Sequence, residues 1–363
     1  MEIKSIKATD VMPVDGSMGD TWNLAWSREG DLYSPVNDGL GFCAEQKMNH
    51  LLFVKMQPDN DSSPRMVGEN VNAMDDYDIP LPENATEEEE RQWWRVRIAD
   101  DACTWKTGGC KMIDGTLYLV VGRHRYGEIS GDKFRRQSAR NASIIKSTDG
   151  GKTWTRSEKE NYDNPMFPGR RFATPYFLDY GQDGSEAVAH GSDKYVYAHA
   201  NGGFWDNSSD MVLGRVLRSK IGNLDPADWQ YFTGGDGMND AAWSQNMADA
   251  KPVLQTDNML GSTGAVYLPQ WKSYCLIGWG YPDGGGKLPG MHEHTVWNFH
   301  VAPTPWGPWR TVGSRTFKPE GFYCPTICPR FISSDGKTAW VATSGNWWDL
   351  TWYRLHMVKL EIS

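Results

Sequence analysis

The chain predicts an all-β fold, a five-bladed β-propeller, and three observations carry the prediction. Gly (38) and Pro (20) punctuate all 363 residues, while long helical periodicity is nearly absent. Short β-prone runs fall into five groups of about four, at a spacing of roughly 60 to 75 residues, a period long enough for a propeller blade. Both termini, Glu2 to Thr9 and Leu355 to Ile362, alternate in the manner of strands, which predicts a ring closed by strands from the two ends. A single domain over 1–363 accommodates all five groups.

The first group opens with Gly19 to Phe42, which reads as a β-hairpin. An apolar run from Trp22 to Trp26 precedes turn formers at Ser27 to Gly30, and a second β-prone run follows from Leu32 to Val36. With the turn centred on Glu29, simple antiparallel register pairs Trp26 with Leu32, Trp22 with Val36 and Asp20 with Asp38. Directly opposed residues have Cβ atoms roughly 5 Å apart, close enough for one of two carboxyl groups to be held protonated. Two readings stand at this point. Asp20 caps a turn and Asp38 closes the hairpin at Asn37-Asp38-Gly39, or the two form the acid and carboxylate pair that hydrolysis of a glycosidic bond requires.

His50 to Met56 supplies a third strand, and residues 57–92, polar and ending in acidic Glu87 to Glu90, read as a long loop excursion. The second group runs from Cys110 to Tyr126 and Ala142 to Ser157. The third covers Arg170 to Gly181, Asp193 to Gly203 and Asp210 to Lys220; the fourth, Thr263 to Tyr281 and Glu293 to Trp309; the fifth, Ile327 to Gly345 and Thr351 to Ser363. In the second group Ser147, Asp149, Gly151, Thr153 and Trp154 form an S-x-D-x-G-x-T-W pattern, an Asp-box turn. It resembles the turns of sialidase-type propellers, where its role is structural.

A net charge of −9 argues against a nucleic-acid partner and an anionic membrane surface. Aromatic content points elsewhere. With 18 Trp and 15 Tyr, the chain can fill the spaces between sheets and still offer flat faces to sugar rings, so a carbohydrate is the expected partner; the sequence leaves protein partners open. No cofactor or metal is implied either: six cysteines lack zinc-ligand spacing, and His292 and His294 form at most a half-site. Cys103 and Cys110 are spaced to bridge a hairpin. Met1 to Asp10 lacks the apolar segment of a signal peptide, the expectation for a cytoplasmic protein or an exported one whose signal has been removed.

Propeller sites lie at the mouth of the central tunnel, where inner strands begin. On that logic Trp22 and Asn37 beside the two aspartates, with Arg123, His124, Trp205, Asp210, Glu320, Tyr323 and Trp347, are candidate substrate-binding residues. Arg123 and Arg125 share a face at strand spacing, suited to an acidic sugar.

Taken in order, Gly19-Asp20-Thr21-Trp22, Asp31-Leu32-Tyr33, Asn37-Asp38-Gly39, Asn70 to Tyr77, the Lys146 to Trp154 turn, Met211 to Val216 and Ala302 to Trp309 resemble a bacterial five-bladed propeller family. It was catalogued as domain of unknown function 4185 and includes the endo-D-arabinanases of glycoside hydrolase family 183. Asn23 departs from the proline expected after Trp22. The resemblance implies glycoside hydrolysis, with D-arabinofuranosyl linkages as the first substrate class and the positions of Asp20 and Asp38 as the catalytic ones. A non-catalytic carbohydrate-binding propeller, a sialidase and a polysaccharide lyase are the alternatives on the same scaffold.

Overall fold

The computed structural model describes residues 2–45, 48–60, 63–77, 86–89, 103–126, 132–135, 137–157, 164–186, 194–235, 240–285 and 292–363. Its strands form five antiparallel sheets, the blades of a five-bladed propeller. Blade I is built from Met18–Asp20 and Ala25–Trp26 on its inner edge, then Leu32–Gly41, Asn49–Pro58 and Met66–Asn72. Blade II holds Cys103–Ile113, Thr116–Tyr126, Gln137–Ser147 and Phe167–Pro168, and blade III begins at Tyr176–Phe177, Tyr195–Asn201 and Asp210–Leu217. Blade IV holds Ala265–Leu268, Ser273–Gly280, Thr295–Ala302 and Arg310–Phe317. Blade V holds Tyr323–Cys328, Thr338–Ser344 and His356–Ile362, and takes its outermost strand, Ile6–Pro13, from the other terminus. That last pairing, Ile6 with Ile362 through Pro13 with His356, is the ring closure expected from the alternating termini.

Period-two alternation sends each strand's side chains to opposite neighbours. Leu51 and Phe53 pack with Cys110, Leu119 and Ile145 of blade II, whereas Leu52 and Val54 on the same strand pack with Phe331, Ala342 and Met357 of blade V. Comparable apolar cores join blades II and III, III and IV, and IV and V. Every interface between adjacent blades therefore buries its own core, which is why the strands read as near-continuous apolar runs.

Three sequence expectations change. The excursion over 57–92 is in part a strand: Met66–Asn72 forms the outer edge of blade I, while 61–62, 78–85 and 90–92 lie outside the described residues. Cys103 and Cys110 occupy one strand, about 20 Å apart by its rise, and Cys110 is a free buried thiol. The third change is register. Trp26 pairs with Leu32 as expected, but Asp20 pairs with Asn37, not Asp38, across an irregularity between Met18 and Asp20. Residues 21–24 leave the ladder, and Asn23 N–H donates to the Ser34 hydroxyl instead of a strand carbonyl. A proline at 23 would lose that bond, and Asn23 also accepts the Cys110 N–H at 2.6 Å, tying blade I to blade II.

Candidate active site

A one-residue slip ordinarily turns a side chain to the opposite face of its sheet. Here the backbone compensates. Asp38 has φ +45° and Thr21 φ +62°, left-handed conformations uncommon for residues other than glycine and, for a β-branched threonine, a genuine outlier. Gly19 and Gly39, which flank the two aspartates, let the strands meet: a Cβ on Gly39 would strike the Met18 carbonyl and the Gly19 Cα.

Both aspartates then face one cation from the neighbouring blade. The Lys106 ammonium, on the inner strand of blade II and buried, forms an ion pair with Asp38 Oδ2, and its charge also acts on Asp20. Asp20 is 7 % exposed. Burial raises its pKa above the ordinary 3.8; Lys106 opposes the rise, the Asp38 charge adds to it, and hydrogen bonds from Thr21 and Tyr323 oppose it. Thr21 Oγ1 donates to Asp20 Oδ1 at 2.6 Å and Tyr323 OH to Oδ2 at 2.9 Å.

Blade V supplies the remaining contacts. Tyr353 OH donates to the Asp38 carbonyl at 2.8 Å and lies 3.4 Å from Asp20 Oδ2, so one hydroxyl touches both residues. Tyr323 is aimed by a bulge between Tyr323 and Thr326 that contains Cys324 at φ +49°. Burial, with Asp20 next, pushes the Cys324 thiol well up, and Tyr176, also well raised by burial, senses Cys324 and Asp20. Three left-handed residues, Thr21, Asp38 and Cys324, thus converge around one carboxyl. Each such residue costs about 1–3 kcal/mol, and such strain gathers at functional sites.

Of the residues singled out in the sequence, Tyr323 and Asn37 join the two aspartates. Asn37 is fully buried, accepts from Thr107 Oγ1 at 3.3 Å, and leaves its Nδ2 without an acceptor. Trp205 is next: its ring meets Tyr323 at 5.7 Å and His124 at 6.0 Å, and its Nε1 has no acceptor. His124 bonds Gln137 at 2.8 Å behind it. Trp22 is 1 % exposed, donates to the Gly19 carbonyl and packs on Phe42, so it supports the site from the core and offers no face to a ligand. Arg123 lies over the Trp105 ring, and Asp210 pairs with Arg171 at 2.7 Å. Glu320 keeps Oε2 buried without a donor, and Trp347 stands on the surface at 40 % exposure. His294 faces Asp283 whereas His292 is buried against Tyr281, so the two do not form a half-site.

Lys106, Thr21, Tyr176, Cys324 and Tyr353 escaped the sequence reading. Lys106 alone left a signal there, a lysine in an apolar, glycine-containing inner strand, which must find an acid.

The fold and this cluster define the protein as an all-β five-bladed propeller with two carboxyl groups from the first two strands of blade I and one ammonium from blade II. No protein-family model matches the chain, and no curated protein matches it. Among solved structures it resembles a Bacteroides ovatus ATCC 8483 protein provisionally described as a hydrolase, at 13% identity and a TM-score of 0.53, over 96% of this chain and 87% of that one. A GH43_1 enzyme of Xanthomonas citri (10% identity, TM-score 0.49, 97% and 89% covered) is more distant. So is a family 117 glycoside hydrolase of Zobellia galactanivorans (9% identity, TM-score 0.44, 99% and 90% covered). At these identities the likeness is one of fold.

Proposed function

We propose that the protein is a glycoside hydrolase acting on a polysaccharide or oligosaccharide, with Asp20 as the general acid and Asp38 as the carboxylate partner. The observation that carries this reading is the pairing of two unlike carboxyl environments under one cation. Asp20 is buried, its pKa raised, and Asp38 is ion-paired with Lys106. A buried acid beside an ion-paired carboxylate is the arrangement that acid and base assignments require.

In the proposed reaction the Asp20 carboxyl gives its proton to the glycosidic oxygen as that bond breaks. Asp38 either attacks the anomeric carbon or takes a proton from the attacking water. The hydroxyls of Thr21 and Tyr323, which already point at Asp20, stabilise the carboxylate left after transfer. Lys106 stays ion-paired with Asp38 while the proton is still on Asp20. The resemblance to the endo-D-arabinanase family makes D-arabinofuranosyl linkages the first substrates to try.

The test is a panel of polysaccharides and aryl glycosides, furanosides first, with products resolved by chromatography. Release of reducing ends by the wild type, and its loss in both Asp20→Asn and Asp38→Asn, is the expected result. Near-normal turnover by either variant would falsify the assignment. Products absorbing in the ultraviolet as unsaturated uronates would make the protein a lyase.

A further inference from the structure

Six large apolar side chains are exposed among the described residues, and three of them, Trp347, Trp348 and Leu350, belong to one loop of blade V. The two indoles are stacked on each other, centroids 3.9 Å apart and planes 28° apart, at 40 % and 43 % exposure. Indoles left in water in this way are costly to solubility and ordinarily mark a surface with a partner.

The loop that presents them is fixed. Buried Asn346 donates its N–H to the Glu320 carbonyl at 2.8 Å, and its side-chain oxygen accepts the Trp348 N–H at 3.2 Å. Asp349 N–H returns to the Asn346 carbonyl, and the Asp349 carbonyl accepts from Trp352 and Tyr353. Gly345 and Trp352 close the base at 2.9 Å. A platform already held in place loses little freedom when a ligand binds.

A run of buried rings also links the pair to the two aspartates through the core. Trp347 packs on His292 at 5.1 Å, His292 on Tyr281, Tyr281 on Trp279, and Trp279 on Tyr323, whose hydroxyl donates to Asp20. The loop itself ends at Tyr353, whose hydroxyl touches both aspartates' residues.

We propose that the Trp347–Trp348 pair is a stacking subsite for a sugar ring of a neutral polysaccharide chain that continues to the Asp20–Asp38 centre; this rests on the glycosidase reading above. An indole face takes the apolar C–H face of a sugar ring. Glu320, whose backbone carbonyl holds the Asn346 end of the loop and whose side chain is partly exposed, is an acceptor for a hydroxyl on the ring's rim. Asp349 and Arg354, the latter bonded to the Leu350 carbonyl, give the loop one charge of each sign, so a neutral glycan fits it.

Native affinity electrophoresis in gels containing soluble arabinan, arabinoxylan or levan tests this, using the wild type and Asp38→Asn. At least one polysaccharide should retard Asp38→Asn. Adding Trp347→Ala or Trp348→Ala should weaken that retention about tenfold, and adding Leu350→Ala should leave it in place. Retention unaffected by either tryptophan, equal loss in the leucine variant, or no retention of any form overturns the proposal. So does a concentration-dependent dimer in sedimentation velocity that Trp348→Ala abolishes, since the face would then bind a second copy. Hydrolysis is scored separately. Tryptophan-dependent retention without cleavage sinks only the glycosidase reading, and cleavage of polymer undiminished by both alanine variants sinks only the subsite.

Discussion

Two lysines on one inner strand of blade II, Lys106 and Lys111, meet different fates. Lys111 pairs with Asp179 at 2.5 Å and donates to the Leu24 carbonyl at 2.9 Å, both partners buried. Asp179 also accepts the Gly181 N–H at 3.0 Å. Burial raises the Asp179 pKa, and every other influence on it, two from Lys111 and one from Gly181, opposes the rise. That is one cation for one anion, closed by backbone. Lys106 serves two carboxyl groups, and at Asp20 the second acid adds to the rise that burial begins. Equal counts make a tie between blades; an extra acid makes a group with reason to hold a proton at higher pH.

This contrast can be broken most forcefully at Lys111. Replacing it by Met leaves the Asp179 charge buried and unpaired, a loss of about 3–5 kcal/mol, readable as a fall in denaturant midpoint. The same change at Lys106 should cost less, about 1–3 kcal/mol, because Asp38 retains solvent contact and Asp20 can take up a proton. Equal destabilisation at the two positions would erase the distinction.

Lys106→Met sharpens the contrast in a second way. The ammonium opposes the rise in the Asp20 pKa, so its removal should carry the alkaline limb of kcat/KM to higher pH while lowering the maximum. An alkaline limb that stays in place would mean that Asp20 is not the group losing the proton.

The smallest effect is on stability. Asp20 has a folded pKa above its ordinary 3.8, so between the two values the native state holds a proton that the unfolded chain has lost. Its contribution is therefore favourable at low pH and falls as pH rises through the folded pKa. Asp20→Asn removes that dependence, and its melting temperature relative to wild type should climb across this window. A difference that is flat with pH contradicts the burial argument.

Much of this was legible in the sequence because local rules govern it. Alternating runs gave the blades, alternating termini the closure, and the Gly19-Asp20 and Asp38-Gly39 dipeptides the close approach of two strands. The register of the aspartates was not legible, because it depends on left-handed Thr21 and Asp38, conformations that only the completed surroundings impose. Lys106 comes from 68 residues away and Tyr353 from 315, across blade interfaces that no local pattern announces. Trp22 misled for the opposite reason: its place beside Asp20 suggests a ligand contact, yet an indole between two apolar strands belongs to the core.

The division of labour between the aspartates is tested most directly by leaving-group dependence. Asp20→Asn and Asp38→Asn are compared on a polymer and on the dinitrophenyl glycoside of the same sugar, whose leaving group needs no proton. The account predicts that Asp20→Asn fails on the polymer but keeps substantial activity on the activated glycoside, whereas Asp38→Asn fails on both. The reverse pattern, with Asp38→Asn spared by the good leaving group and Asp20→Asn inactive on both, would contradict it.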